Sequence, residues 1–400
     1  MRILLTATAS YAPPRGGATR SNLIWLDGLA HAGHRCRIVC GPSGEGAELR
    51  HHESIEVHAI AEPAQRVRTL RAQIREFQPD WVLVSSEDLG HSLLREAQHS
   101  AQGRVVYLAH TPQFFPFGRA SWNPERAAAE LVAEAAGIVA IGRYMAEYIQ
   151  AELGRAVQVI HPPIYGAGPF AAFHNFARGF VTMINPCAVK GISIFLDVAR
   201  RMPAHEFAVV PGWGTTAEDR RAIARVPNVR VLPNAPRIES VLEQTRVLLM
   251  PSLWYEGFGL IVMEAMLRGV PVVASDSGGL KEAKRGTGYV IPVQPIERYQ
   301  PVFDQHAMPK PVLPEVDAAP WIAALGELLS NAEAYERESA ASRQTAQEFV
   351  AGLDAGELGR YLEGLKPRAP QKPERMTIES LSPAQRALLL ERLHKRKVTR

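Results

Sequence analysis

The stretch PSLWYEGFGLIVMEAMLRGVPVVASDSGG, residues 251–279, contains a strand end, a turn, a helix and a further strand in succession. The turn is predicted at residues 256–258, after a strand that ends in LLMPS. Gly259 then opens an apolar helix that Gly269 ends, and VPVVAS (270–275) is the next strand. Strands that alternate with helices are typical of a parallel sheet with crossover helices.

The same alternation continues along most of the chain. Further strands are predicted at RILLTATAS (2–10), RCRIVCG (35–41), WVLVSS (81–86), RVVYLAH (104–110), GIVAIG (137–142), AVQVIHPP (156–163), GFVTMIN (179–185), EFAVVPG (206–212), NVRVLP (228–233), RVLLMPS (246–252) and GYVIPV (288–293). The loop IYGAGPFAAFHNFARG (164–179), rich in Gly, Pro and aromatic residues, divides them into two groups. We therefore expect two Rossmann-like halves with a cleft between them, because ligands of open α/β sheets bind beyond the carboxyl ends of the strands.

The domain boundaries follow from this pattern and from changes in composition. Residues 1–165 are predicted as an N-terminal domain, which a helix near 345–365 rejoins, and residues 166–344 as a C-terminal domain. Residues 366–379 are rich in Pro and charge and are predicted as a linker. Residues 380–400 are predicted as a helix, because Ser382 can cap it and Pro383 suits its first position.

Composition excludes several classes of protein. The 400 residues exceed what one core usually holds, and no apolar run reaches the roughly 18–20 residues that span a bilayer. The start lacks a signal-peptide layout, so a cytoplasmic protein is expected. The net charge of +4 does not by itself indicate nucleic acid. The three cysteines, Cys36, Cys40 and Cys187, lack metal-ligand spacing and are predicted as buried thiols. Neither a G-x-G-x-x-G fingerprint nor a Walker lysine is found, which disfavours dehydrogenases and P-loop enzymes.

The two carboxylates of the opening stretch indicate a candidate site. Backbone N–H groups of Gly259, Leu260 and Ile261 would lie free at the helix start, where they and the helix dipole favour a phosphate. Glu256, in the preceding turn, would face the group attached to that phosphate, and Glu264 would reach a ribose. A nucleotide-sugar has these parts in this order. The alternative is an ordinary helix with a charged start and one exposed acid.

Several motifs together resemble the retaining glycosyltransferases of family 4. EGFGLIVME (256–264) is similar to their E-x7-E signature. The other similar motifs are the loop of Gly16 and Gly17, GLAHAGHRCRIVCG (28–41), LAHTP with His110, NPCAVKGISIFLDVARRM (185–202) with Lys190, SDSGGLKEA (275–283) and GTGYVIPV (286–293). The resemblance implies an α/β protein of the GT-B fold, in which two Rossmann-like domains with parallel sheets face a central cleft. The N-terminal domain would bind the acceptor and the C-terminal domain the nucleotide-sugar donor.

The resemblance also implies roles for individual residues. His110, Lys190 and Glu256 would be catalytic, with Lys190 neutralising the leaving diphosphate and His110 and Glu256 contacting the donor sugar. The donor would be bound by Gly16, Gly17, Asn185, Lys190, Gly212, Glu256, Gly257, Phe258, Gly259, Leu260 and Glu264. Asn185 departs from the pattern, because the family usually has an arginine five positions before the lysine. Arg15, Arg143 or Arg237 are candidates to replace that charge, although each is more simply a solvated surface residue.

The mechanism expected from these residues needs neither a metal nor another cofactor. No D-x-D motif is present to hold a cation on the diphosphate. The resemblance implies retention at the anomeric carbon, and no carboxylate is an evident covalent nucleophile. We therefore expect a front-face displacement in which the leaving phosphate takes the acceptor proton.

The acceptor is expected on the N-terminal half. YAPPRGG (11–17) offers Tyr11, and HTPQFFPFGRASW (110–122) offers aromatic rings. The candidate contacts are Tyr11, Phe114, Phe115 and Phe117, with Trp122 at the end of the second segment. These rings would line a cleft for an apolar small molecule, a lipid or a peptide, or they would form a local cluster under the loop. A glycan acceptor is the further alternative.

The C-terminal tail raises questions of partner and location. LSPAQRALLLERLHKRK (381–397) faintly resembles helical segments at module junctions of nonribosomal peptide and polyketide synthases, which implies docking to a synthase. A solvated basic helix, or a helix on an anionic membrane at the cytoplasmic face, is the alternative. The leading function is transfer from a UDP-sugar to a natural product. The alternatives are a glycosyltransferase for cell-surface polysaccharide or lipid, a nucleotide-sugar epimerase and a non-catalytic scaffold.

Overall fold

The computed structural model of the protein describes residues 1–369 except residues 15, 43, 45, 46 and 236. Within this part of the chain, two α/β halves are each built on a mainly parallel sheet, and a two-stranded sheet accompanies the second half. The predicted C-terminal helix and most of the predicted linker lie outside the described residues.

The N-terminal sheet has the strand order β3-β4-β2-β1-β5-β6-β7-β8. Its strands are β1 (Arg2–Thr6), β2 (Arg35–Cys40), β3 (Ala47–His52), β4 (Ile55–Ile60), β5 (Trp81–Ser85), β6 (Val105–Ala109), β7 (Gly137–Ala140) and β8 (Gln158–Val159). All neighbours are parallel except β3, which pairs antiparallel with β4. Every residue of β5, β6 and β7 is buried, as expected for central strands covered on both faces.

The C-terminal sheet is parallel throughout and has the order β11-β10-β9-β12-β13-β14. Its strands are β9 (Phe180–Ile184), β10 (Phe207–Val210), β11 (Val229–Val231), β12 (Thr245–Met250), β13 (Val272–Ser275) and β14 (Val290–Ile291). β15 (Tyr299–Phe303) and β16 (Pro309–Pro311) form a separate antiparallel pair. The sequence predicted longer strands at the positions of β8 and β14. Pro162 and Pro163 lie in the predicted extension of β8 and have no N–H for a ladder.

Helices cover the sheets and return the chain to its first half. They are α1 (Gly17–His31), α2 (Pro63–Phe77), α3 (Ser92–Ala101), α4 (Arg126–Ala133), α5 (Arg143–Leu153), α6 (Ile192–Arg201), α7 (Ala217–Ile223), α8 (Glu239–Leu242), α9 (Leu260–Met266), α10 (Leu280–Ala283), α11 (Ala319–Ser330), α12 (Ala332–Ala351) and α13 (Glu357–Gly364). Short 3-10 turns span Pro112–Phe114 and Ala188–Lys190. No helix in the described part of the chain is both long and apolar enough to cross a membrane.

The two halves are in direct contact. One cluster of buried apolar side chains contains Leu26 from α1 and Met266 from α9, which belong to different halves. After α13 the backbone N–H of Arg368 donates to the Gly103 carbonyl at 2.9 Å, so the described chain ends against the N-terminal half. The three cysteines are buried free thiols, as the sequence predicts. We call the contact between the two halves, to which α1 and α9 contribute, the seam.

Candidate active site

An ion pair of a half-buried lysine and a buried glutamate lies at the carboxyl end of the C-terminal sheet. Lys190, in the 3-10 turn after β9, places Nζ 2.5 Å from Oε1 of Glu256, which follows β12. The Ser252 hydroxyl donates to the same oxygen at 2.6 Å. Lys190 Nζ also lies 4.4 Å from the ring centroid of Trp254. The structure thus brings together Lys190 and Glu256, which are 66 positions apart in sequence.

The turn between Glu256 and α9 requires glycine. A Cβ at Gly257 would lie 2.1 Å from the carbonyl oxygen of His110, which belongs to the other half. Gly259 has a φ of +118°, a value that side chains disfavour, and it caps α9. From the opposite half, a Cβ at Gly17 would lie 3.1 Å from Leu260 Cδ1. The structure therefore brings together the start of α1, the residue after β6 and the start of α9.

Glu264 is buried on α9 and is paired across the seam. Its Oε1 lies 3.3 Å from an Nη2 of Arg20 on α1. Burial raises the pKa of Glu264, and the Arg20 charge opposes that effect only in part. The Tyr165 hydroxyl, which is close enough to feel the Glu264 charge, has no hydrogen-bond partner among the described residues. Arg20 is therefore a neighbour of Glu264 that the sequence analysis did not identify as a candidate site residue.

His110 is held neutral at the end of β6. It is 2% exposed, and burial lowers its pKa to about 3. Its Nε2 lies 2.7 Å from Oδ1 of Asn22 on α1, so the amide oxygen selects the tautomer with the proton on Nε2. Asn22 Nδ2 donates to the Tyr11 hydroxyl at 2.8 Å. His110 Nδ1 is a buried acceptor with no partner in the described chain.

Asn185 and Gly212 lie side by side at the ends of β9 and β10. Asn185 Oδ1 accepts from the Gly214 N–H at 2.9 Å, and its Nδ2 has no partner in the described structure. A Cβ at Gly212 would lie 2.6 Å from Asn185 Oδ1, so glycine is needed there. Asn185 itself has a φ of +56°, a backbone conformation that asparagine tolerates better than most residues.

Two of the arginines considered as replacements for the missing charge have other partners. Arg143 lies 3.5 Å from Glu282, and Arg237 lies 3.8 Å from Glu239. Both side chains are largely exposed, as expected for solvated surface charges. Arg15 lies outside the described residues.

The aromatic residues predicted to contact an acceptor are mostly structural. Phe115 and Phe117 are buried in the N-terminal core, with ring centroids 5.2 Å apart, so they offer little surface to a ligand. Tyr11 is also fully buried, and Asn22 donates to its hydroxyl. Phe114 is half-buried and packs against Trp122 with centroids 5.1 Å apart. The assignment of Tyr11, Phe115 and Phe117 to an acceptor surface is therefore not supported, because Phe115 and Phe117 pack in a cluster under the loop and Tyr11 is buried in a separate cluster.

Glu282 is a functional candidate that the sequence analysis missed. This residue of α10 accepts from the backbone N–H groups of Arg143 at 3.0 Å and Tyr144 at 3.1 Å, at the start of α5 in the other half. Its side chain is 7% exposed, and His161 Nε2 lies 3.7 Å from it. Because Gly142 at the N-cap of α5 has no side chain, Glu282 supplies the missing cap across the seam.

No group of three or more His, Cys, Asp or Glu residues within the described ranges is arranged to hold a metal ion. The histidines that stand close together in sequence have separate carboxylate neighbours instead. His31 lies 3.7 Å from Glu53, and His52 lies 3.2 Å from Asp27.

Both halves of the sequence match models of known families. Residues 15–165 match the model described as Glycosyltransferase Family 4, and residues 177–299 match the one described as Glycosyl transferases group 1. Together the two matches take in more than half of the chain. Among curated proteins, none matches the sequence at a significant level.

Solved structures similar to this one include several glycosyltransferases. Sucrose-phosphate synthase from Thermosynechococcus elongatus superposes with a TM-score of 0.68 at 16% identity, over 90% of this chain and 98% of that one. Anabaena HepE in complex with UDP-glucose gives 0.64 at 17% identity, over 91% and 98%. WaaG, a glycosyltransferase involved in lipopolysaccharide biosynthesis, gives 0.60 at 13% identity, over 90% and 100%. At such identities the likeness concerns the fold, and it confirms the architecture predicted from the sequence.

Proposed function

We propose that this chain, a glycosyltransferase with the GT-B fold, transfers a sugar from a nucleotide-sugar to an acceptor hydroxyl with retention of the anomeric configuration. A UDP-sugar is the favoured donor, and HepE, a neighbour of the same fold, binds UDP-glucose. The observation that carries the proposal is the pair of Lys190 and Glu256, 2.5 Å apart, next in sequence to Gly257, which contacts the His110 carbonyl of the other half.

The Lys190 side chain would act on the leaving group. The diphosphate gains negative charge as the bond to the sugar breaks, and a fixed cation stabilises that charge most in the transition state. Glu256 holds the ammonium group in place, and Ser252 holds the carboxylate. Both bonds end on Oε1, and we assign Oε2 to a hydroxyl of the donor sugar.

His110 would serve as a neutral hydrogen-bond acceptor and not as a charge. Its proton is on Nε2 and directed at Asn22, so Nδ1 carries the lone pair. A donor-sugar hydroxyl is a group that can donate to it. Glu264, with Arg20 beside it, would accept from the ribose hydroxyls. Gly16, Gly257 and the start of α9 would let the diphosphate approach the backbone closely.

The chemical step proposed is a front-face displacement. The bond between the anomeric carbon and the phosphate oxygen breaks, the acceptor oxygen bonds to that carbon, and a leaving phosphate oxygen takes the acceptor proton. Detection of a covalent glycosyl-enzyme adduct by intact-protein mass spectrometry would contradict this order. Since the chain has no D-x-D motif, we expect EDTA to leave the rate unchanged.

The donor is tested with the full-length protein and a panel of UDP-, GDP-, ADP- and dTDP-sugars. We expect slow release of nucleotide from one donor in the absence of acceptor. Lys190→Met and Glu256→Gln should lower that rate by about 100-fold or more. The matched control is Arg230→Ala, which breaks an exposed pair with Glu206 on the sheet edge and should leave the rate unchanged.

Other outcomes of this experiment separate the alternatives. Conversion of the donor sugar without nucleotide release would indicate a nucleotide-sugar epimerase. A protein that neither turns over nor binds any donor would indicate a non-catalytic scaffold and would contradict the proposal.

For the acceptor, the burial of Phe115 and Phe117 removes most of the argument for an apolar natural product. Attachment of the tail to a synthase or to the cytoplasmic membrane face remains a prediction about residues outside those described.

A further inference from the structure

Glu87 is a half-buried acid at the carboxyl end of the N-terminal sheet. It follows β5, whose last residue, Ser85, pairs in register with Leu108 of β6. Glu87 and His110 each lie two residues beyond this pair, so they are neighbours at the same edge of the sheet. The backbone N–H of His110 donates to the Ser86 hydroxyl at 3.1 Å, which holds the two strand ends together.

The Glu87 carboxylate lies close to the residues that orient His110. The Thr8 hydroxyl, which follows β1, donates to the Glu87 carbonyl. Burial raises the pKa of the Tyr11 hydroxyl, and the Glu87 charge raises it further, so the carboxylate is near that hydroxyl. Tyr11 accepts from Asn22, and the Asn22 amide oxygen accepts from His110. Glu87 therefore belongs to the N-terminal side of the candidate site, although the sequence analysis did not select it.

The charge of Glu87 has no partner in the described part of the chain. No hydrogen bond or ion pair reaches its carboxylate there, and burial raises its pKa to about 7. The fully buried acids differ from it, because each of them accepts at least one hydrogen bond. These acids are Asp88, Glu96, Asp219, Glu256, Glu264 and Glu338. Glu87 is thus an enclosed acid that still has surface for a ligand.

The charge of the missing partner follows from the surroundings of Glu87. An opposite charge within about 4–6 Å stabilises an enclosed carboxylate. His110 does not supply that charge, because burial lowers its pKa to about 3 and keeps it neutral. The diphosphate proposed to lie at Lys190 adds further negative charge on the other side of the site. A cation between the two negative groups is stabilised by both, whereas an anion is repelled by both.

The chemical form of the cation follows from the atoms of Glu87. An ionised carboxylate accepts hydrogen bonds and does not donate them, and a protonated amine has three N–H donors and no acceptor. Hydrogen bonds between two charged groups are about twice as strong as those between neutral ones. A neutral hydroxyl would also donate to Glu87, but it would leave the negative charge uncompensated.

We propose that Glu87 recognises the acceptor and that the acceptor carries a protonated amine near the hydroxyl that receives the sugar. The amine would donate to the Glu87 carboxylate, which directs the neighbouring hydroxyl to the anomeric carbon beside His110. This inference rests on the proposed function, because the register with His110 places Glu87 next to the donor sugar. It selects among acceptors by their charge and disfavours acidic ones.

The full-length protein can test this preference without knowledge of the natural acceptor. The rate of nucleotide release from the donor found in the donor panel is measured at pH 7 against the concentration of a second compound, at constant ionic strength. The matched probes are glucosamine with N-acetylglucosamine, and ethanolamine with ethylene glycol. A bound probe changes the rate either by accepting the sugar or by excluding water. For at least one pair, we expect half-saturation at a concentration about tenfold or more lower for the amine than for its neutral partner.

Two variants test the residue, and one serves as the control. Glu87→Gln removes the charge and keeps the shape, so the amine and the neutral compound should reach half-saturation at equal concentrations. Its Tm at pH 7 should equal or exceed that of the wild type, because burial disfavours the charged carboxyl. Glu87→Asp keeps the charge and should retain part of the preference. Glu206→Gln, which removes an exposed acid of the C-terminal half, should leave the preference unchanged.

The outcomes separate this inference from the proposed function. Nucleotide release with no preference for the amine in either pair, or with no effect of any probe, would overturn the inference and leave the proposed function intact. A preference that persists unchanged in Glu87→Gln would overturn the role of Glu87. The absence of nucleotide release from every donor would overturn the proposed function and this inference with it.

Discussion

His110 allows a quantitative test of how the site is buried. Burial lowers its pKa to about 3, whereas a histidine in the unfolded chain titrates near 6.5. Between these values the unfolded state binds a proton that the native state excludes, so stability must fall as the pH falls below about 6.5. At pH 5 the unfolded pKa is about 1.5 units above the pH, and at about 1.4 kcal/mol per unit the loss is about 2 kcal/mol.

The test compares the wild type with His110→Gln, whose amide can still donate to Asn22. Urea denaturation at pH 7.5 and pH 5 gives the free energy of unfolding of each protein, and the quantity of interest is the change between the two pH values. The loss of unfolding free energy from pH 7.5 to pH 5 should be about 2 kcal/mol smaller in His110→Gln, because this variant lacks the buried imidazole. The other titrating groups are the same in both proteins and cancel in the comparison. His31→Gln, at an exposed position, serves as the control. Equal pH dependence in the wild type and His110→Gln would refute the assignment of a neutral, buried imidazole.

Variants at three further positions test the seam and its charges. Glu282→Ala removes the cap of α5 and should lower the free energy of unfolding by about 0.5–2 kcal/mol, with a smaller loss for Glu282→Gln. Gly257→Ala places a methyl group against the His110 carbonyl, so we expect a loss of about 1–3 kcal/mol and a larger radius of gyration in X-ray scattering. Glu264→Gln should raise Tm at pH 7, because burial raises the pKa of the native carboxyl and so disfavours its charged form. The difference in Tm between Glu264→Gln and the wild type should shrink as the pH falls. It should be absent below about pH 4, because the carboxyl is then protonated in the unfolded state as well. Equal Tm values of the two proteins at pH 7 would contradict this prediction.

The strands that were easiest to predict are those buried on both faces. WVLVS and VVYLA are continuous apolar runs, and they form the central strands β5 and β6. β3, by contrast, has the sequence AELRHH and pairs at the edge of the sheet, where polar side chains are tolerated and no apolar run is needed. Its partner β4 shows more apolar character, but without β3 the hairpin has no sequence signal of its own.

The parts of the site that sequence reasoning missed are contacts between distant segments. Arg20 and Glu264 are 244 positions apart, and nothing local marks them as a pair. Asn22, by contrast, could have been identified from the sequence. It stands four positions before Leu26 and seven before Leu29, so it shares the buried stripe of α1, where a polar residue calls for a specific partner. That partner is His110, which a different motif had already selected.

The two halves supply different residues of the candidate site, which explains why the site lies where they meet. Lys190, Ser252 and Glu256 all belong to the C-terminal half, so the pair proposed to act on the leaving diphosphate is assembled within one half. His110 comes from the N-terminal half, and its carbonyl approaches the turn after Glu256 closely because Gly257 has no side chain. A donor held in this way would meet its acceptor where little water can enter, and hydrolysis of the activated sugar is the side reaction that such closure suppresses. The slow nucleotide release expected without acceptor should fall in Gly257→Ala, because the added methyl group displaces the His110 carbonyl and Gly257 is also part of the proposed donor site. A rate equal to or above that of the wild type would contradict this expectation.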